Sequence, residues 1–144
     1  DLAVCYEVVE HVYDALKFVS SVSKQLRPGG LFSFTCPNGK GFDTAVLGAS
    51  AVSVDTEHVN LFNPGSVCEL MERSGFEVIA VDTPGRLDVQ LVEAAISDRG
   101  FDVSGNDFVR EIMGGTEEQK RSFQRFLMEN KFAGNLRVFA EKVA

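Results

Sequence analysis

A chain of 144 residues, 44% apolar and 24% charged, has room for one globular domain and excludes a disordered tail, a collagen or a repeat array. Its 21 acidic against 14 basic side chains leave a net charge of −7, which weighs against a protein that grips nucleic acid by its phosphates. No apolar run reaches the ~20 residues of a membrane span. Cys5, Cys36 and Cys68 are widely spaced, with no C-x-x-C pair. They fit reduced thiols of a cytoplasmic protein better than a disulfide framework or a zinc knuckle.

The first predicted element is Leu2 to Tyr6, a continuous apolar run of the kind found in a strand buried on both faces. The chain opens inside this run and without a Met, so the expectation is a fragment lacking an amino-terminal half. Asp14 caps a helix whose apolar face is Ala15, Val19, Val22 and Leu26, and Pro28-Gly29-Gly30 ends it. Leu31 to Cys36 is a second strand. Residues 38–62 form a long connection with a short helix expected inside Ala45 to Val54. Loops of this length in a compact domain are more often functional than idle.

Asn63-Pro64 starts the next helix, with Val67, Leu70, Met71 and Ser74 facing inward and Gly75 as the stop. Phe76 to Asp82 is the third strand. Helices are expected over 87–97, 106–113 and 117–130. Phe123, Phe126 and Leu127 give the last of them a buried stripe, while Lys120, Arg121 and Arg125 form a solvated face. Leu136 to Lys142 is a final strand with one face better buried. The order implies an α/β layered sheet with right-handed crossovers and ligands at the carboxyl ends of the strands. The domain is read as 1–144, with 87–132 a helical insertion before the last strand.

Two strand ends carry unusual residues. Glu7, Glu10 and His11 stand at i, i+3 and i+4, so a helical turn there projects all three to one side. His58, the other histidine of the chain, closes the long loop. Two carboxylates and two imidazoles suit a divalent ion such as Mg, Mn, Fe or Zn. The same residues also suit plain structural work, as a helix cap and a hydrogen-bonded packing histidine. At the second strand end, Asn38, Gly39 and Lys40 are candidates for substrate contact or a lid, and Gly39-Lys40-Gly41 reads either as a hinge or as a flexible loop. The chain has no G-x-G-x-x-G between a strand and a helix and no G-x-S-x-G elbow.

The stretch AVCYEVVEHVYDALKFVSSVSKQLRPGGLFSFTCPN resembles the carboxyl half of the class I S-adenosylmethionine-dependent methyltransferase fold. The matching pieces are E-V-V-E-H-V after a strand, L-R-P-G-G at a helix end and C-P-N after the next strand. EHVNLFNPGSVCELMERSGFEVI is similar to that family's fifth helix and sixth strand. The resemblance implies a partial Rossmann-like sheet with strands equivalent to the fourth to seventh, the last antiparallel. Within the family the E-x-x-E-H pattern is similar to that of the ubiquinone-biosynthesis O-methyltransferases. That likeness implies a metal held by Glu7, Glu10 and His11, with His58 matching a later histidine of small-RNA 2′-O-methyltransferases. It further implies that Tyr6 and Glu7 contact S-adenosyl-L-methionine, Tyr6 through its backbone, and that His11 or His58 is a ligand or a general base.

The Gly-rich cofactor loop and the ribose-binding acid of complete members are absent from this chain. The expected function is therefore O-methylation of a small molecule or sugar by an intact protein, with the chain alone binding the methyl donor weakly or not at all. A nucleic-acid substrate is disfavoured by the charge. The alternative is a truncated, catalytically incompetent relative that works by association, and the strand edge at 2–6 suggests a homodimer.

Overall fold

The computed structural model describes residues 1–143. Among these residues are four strands and six α-helices, and the strand limits follow the sequence closely. They are β1 (Leu2–Tyr6), α1 (Ala15–Gln25), β2 (Leu31–Pro37), α2 (Phe42–Leu47), α3 (Pro64–Arg73), β3 (Phe76–Asp82), α4 (Asp88–Arg99), α5 (Asp107–Met113), α6 (Glu117–Glu129) and β4 (Asn135–Lys142). Local chemistry sets several of the boundaries. The Asp14 carboxylate accepts the backbone N–H of Lys17 at the start of α1. Asn63 forms a reciprocal capping box with Ser66 and is followed by Pro64 in the first turn of α3. Gly75 takes the left-handed φ of 84° that turns the chain from α3 into β3.

The sheet order is β1-β2-β4-β3. β1 runs parallel to β2, and β4 lies antiparallel between β2 and β3 with an irregularity at Val78–Ala80. This is the expected mixed sheet with an antiparallel last strand. One face is packed by α1 and α3 around Val19, Phe32, Phe34, Val67, Met71 and Val138. A second core lies among the inserted helices and α2, around Leu47, Val92, Ala95 and Val109.

Four expectations need correction. β1 lies at the sheet edge as expected but is not buried on both faces: Leu2, Val4 and Tyr6 are 63, 55 and 61% exposed. They share an open sheet face with Leu31 and Phe139. The short helix of the long connection sits at Phe42–Leu47, ahead of the expected 45–54, because Phe42 packs edge-on against Phe123 of α6. Phe126 is half exposed, so the stripe on α6 is buried mainly through Leu127. Lys120 is not solvated but paired with Glu93 and Glu117.

The insertion is tied to the sheet by buried polar groups. Asp88 accepts the backbone N–H of Gly134 and the side-chain amide of Gln124. Gln124 in turn accepts from the Val89 N–H and donates to the Gly85 carbonyl, both at 3.0 Å. Here the residue before α2 meets the residue before β4 backbone to backbone: a Cβ at Gly41 would stand 2.5 Å from the Cα of Gly134. Gly39 and Gly41 both lie at close approaches of backbone, Gly39 beside Leu61 and Phe62 and Gly41 beside Gly134.

Asp43 is buried in the same crossing, and its Oδ1 has no hydrogen-bond partner. Burial, reinforced by the charge of Asp88, pushes its carboxyl above the ordinary value. A carboxyl raised by folding destabilises the native state at neutral pH. That penalty lifts as pH falls through the raised value and is gone below the ordinary one. Asp43→Asn is therefore expected to raise the melting temperature at pH 7, with the gain fading toward pH 3. A variant less stable at pH 7 would show that the ionised carboxylate is well accommodated.

Candidate functional site

The carboxyl end of β1 is where backbone geometry departs from the regular. Glu7 holds a left-handed φ of 52°, uncommon for a residue with a side chain. Its carboxylate accepts from the Thr35 hydroxyl at 2.6 Å and the Asn135 amide at 3.1 Å. Its N–H donates to the Thr35 carbonyl. Glu7 thereby fastens the ends of β1, β2 and β4 together. The next residues form a single 3-10 turn, Val9–His11, in place of an α-helix. Spacing alone placed Glu7 beside Glu10 and His11; the left-handed residue turns it away.

Glu10 is fully buried, and neither carboxylate oxygen has a hydrogen-bond partner. His11 receives its orientation from the long loop: its Nδ1 lies 2.9 Å from the Glu57 carbonyl. A proton on Nδ1 leaves Nε2 as the free lone pair, 3.9 Å from Oε1 of Glu10. The His58 ring stacks on that of His11, with centroids 4.6 Å apart. Nδ1 of His58 lies 2.9 Å from Oδ2 of Asp55, an ion-pair distance when the imidazole is protonated. The loop is pinned over the turn by Asn60, whose N–H donates to the Glu10 carbonyl and whose amide donates to the Val12 carbonyl. Asp55 shapes the loop by accepting the N–H groups of His58 and Glu57, which holds its carboxyl below the usual range.

One ligand-type atom from each of Glu10, His11 and His58 lies within 4.8 Å of the other two. Burial is the main force raising the Glu10 carboxyl above its ordinary value, and the charge of Glu7 adds to it. A carboxylate and two imidazoles so arranged can hold a divalent cation or accept a proton. His11 opens the cluster to solvent, its side chain being 37% exposed.

The other predicted site residues lie around this centre. Tyr6 ends β1 with its ring on the open face. Asn38 is fully buried and serves backbone groups: its amide donates to the Ala133 carbonyl and its oxygen accepts the Lys40 N–H. Gly39 and Lys40 line a cleft beside α3. The sequence reading missed the supporting residues Asp55, Asn60 and Asn135. Asp55 and His58 form a D-x-x-H turn that could have been noticed. The pairing of Glu7 with Asn135, 128 residues apart, has no local signature.

A buried charge with no partner costs stability. Glu10→Met, which replaces it with an apolar group of similar reach, is expected to raise the melting temperature in chelator-treated buffer at pH 7. A fall of several degrees would mean that the carboxylate already has a stabilising partner.

Comparison with known proteins places these features in a family. A family model described as a methyltransferase domain matches residues 1–81, which contain the whole cluster. A Mycolicibacterium smegmatis protein described as a probable S-adenosylmethionine-dependent methyltransferase is 35% identical over 78 residues, covering 54% of this chain and 29% of its own length. The chain thus spans less than a third of that relative.

Among solved structures, a methyltransferase of the same dependence from Mesorhizobium loti aligns with a TM-score of 0.54 and 19% identity, covering 99% of this chain and 61% of that one. Haemonchus contortus phosphoethanolamine N-methyltransferase 2, solved with S-adenosyl-L-methionine, aligns with a TM-score of 0.58 and 15% identity over 99% of this chain and 33% of that one. These two likenesses concern the fold. With more than half its length matched by the family model, and with the sheet that such structures share, this chain belongs to the methyltransferase domain family.

Proposed function

We propose that this chain is the carboxyl-side part of an S-adenosylmethionine-dependent methyltransferase that acts on a hydroxyl of a small molecule or sugar. The observation that carries the reading is the Glu10, His11 and His58 cluster at the carboxyl end of β1, inside the family-matched segment. Ligands of α/β sheets lie at that end of the strands. In methyl transfer to oxygen, a lone pair of the acceptor attacks the methyl carbon while the carbon–sulfur bond breaks and its electron pair stays on sulfur. The hydroxyl proton must leave. His58 or the free Nε2 of His11 is placed to take it, and Glu10 stabilises the imidazolium that results.

The donor set also fits a divalent ion, because the two Glu10 oxygens are buried without partners and a neighbouring carbonyl holds His11 in one tautomer. Glu10, His11 and His58 would hold the ion, which would supply a Lewis acid that lowers the pKa of the acceptor hydroxyl. Glu7 is committed to Thr35 and Asn135, and under this reading it sets the backbone at Tyr6 against the methyl donor. Family membership does not favour the alternative of a non-catalytic association module.

The test is transfer of a labelled methyl group from S-adenosylmethionine by the intact protein to a panel of catechols and sugars. His58→Ala is expected to lower kcat about 100-fold or more, the scale of a lost proton acceptor. Turnover equal to that of the natural protein would remove His58 from the chemistry.

A further inference from the structure

We propose that the cleft between the start of α3 and the segment just before β4 binds an oxyanion carried on an apolar body. Taken with the methyltransferase reading above, on which this assignment rests, it is where the anionic group of the methyl acceptor sits. The cleft has a volume of about 630 Å³, within the range of small-molecule sites. Its cations are Lys40, just beyond β2, and Lys131, just beyond α6. No carboxylate lines it, although the chain carries 21 acidic residues against 14 basic ones. Among the described residues the ion pairs leave both lysines out.

The backbone segments that carry the two lysines are fastened together. The buried side chain of Asn38 accepts the Lys40 N–H at 3.1 Å and donates to the Ala133 carbonyl at 2.9 Å. The same amide lies 3.5 Å from the Lys131 carbonyl. Lys131 holds a left-handed φ of 63°, a conformation that glycine or asparagine adopts more readily. One buried amide thus fixes both cationic segments.

The N-terminus of α3 also borders the cleft, but Asn63 already accepts the N–H groups of Gly65 and Ser66. The lysines therefore carry the recognition of charge. The apolar part of the ligand has its own wall. Phe132 is 50% exposed at the cleft, and its ring lies 6.2 Å from that of Phe126.

A short stretch of chain joins the cleft wall to the turn that carries Glu10. Asn60 donates to the Glu10 carbonyl, and Asn63 lies three residue steps on in the cleft wall, at most about 11 Å away along the chain.

The experiment is an NMR titration of the intact protein with phenyl phosphate, inorganic phosphate and benzyl alcohol. Phenyl phosphate is expected to bind most tightly, with shifts at Lys40, Lys131 and Phe132, and its affinity should fall as salt rises from 50 to 300 mM. Because both lysines are exposed, the double variant Lys40→Gln, Lys131→Gln should keep the native spectrum and bind phenyl phosphate about tenfold more weakly. Absence of shifts at the cleft, or equal affinity in the double variant, overturns the proposal. Phenyl phosphate bound at the cleft of a protein that transfers no methyl group would leave the cleft standing and remove the methyltransferase reading. Transfer to an uncharged acceptor, with unchanged kcat/KM in the double variant and no phenyl phosphate shifts, would do the reverse.

Discussion

A carboxylate buried without a hydrogen-bond partner is a standing debt in a folded protein, and Glu10 is one. The local architecture is organised around keeping it there. The 3-10 turn after β1 carries it inward, and the loop at 55–60 folds back over it through His11, Asn60 and the Asp55 turn. The two stacked imidazoles supply the nearest basic groups. A carboxylate kept only for packing would be expected to find donors among this many nearby N–H groups. Under the proposed reading, a cation or an acidic proton is the partner it lacks.

The sheet explains how such a site is held still. Glu7 ties three strand ends together, and Asn38 and Asp88 fasten the segments on either side of β4. The packed face, built by α1 and α3, gives the strands a rigid base. The opposite face leaves Leu2, Val4, Tyr6 and Phe139 open, with Arg137 lying over Phe139 and paired to Asp82. The inserted helices share a core with α2 and are tied to the ends of β3 and β4 by Gln124, which donates to the Gly85 carbonyl, and by Asp88, which accepts the Gly134 N–H. The strand-end site and the lysine cleft therefore sit on fixed backbone, where positioning is most effective.

Much of the fold was legible because its signals are local. Asp14, Asn63-Pro64 and Gly75 mark boundaries by capping chemistry, and the structure keeps them. β1 shows the limit of an apolar run, which cannot tell a strand covered on both faces from one with a bare face. The helix at 42–47 was placed too late because tertiary packing, Phe42 on Phe123, decides its start. At the site, helical spacing put Glu7, Glu10 and His11 on one side; the structure brings Glu10 and His11 together and sends the Glu7 carboxylate to Thr35 and Asn135, because a left-handed residue breaks the helical count. His58 joined the candidate set as the other histidine of the chain, at the end of the long loop, and no spacing rule shows that its ring stacks on that of His11. The Asp88–Gln124 and Glu7–Asn135 ties join distant residues and leave no pattern to read.

The most direct test of the cluster is thermal unfolding of the natural protein and of Glu10→Gln across a series of manganese concentrations. If Glu10 waits for a cation, the melting temperature of the natural protein climbs with manganese as binding to the folded state requires, and that of the variant stays level. Flat or parallel curves for the two proteins would mean that the carboxylate does not hold a cation.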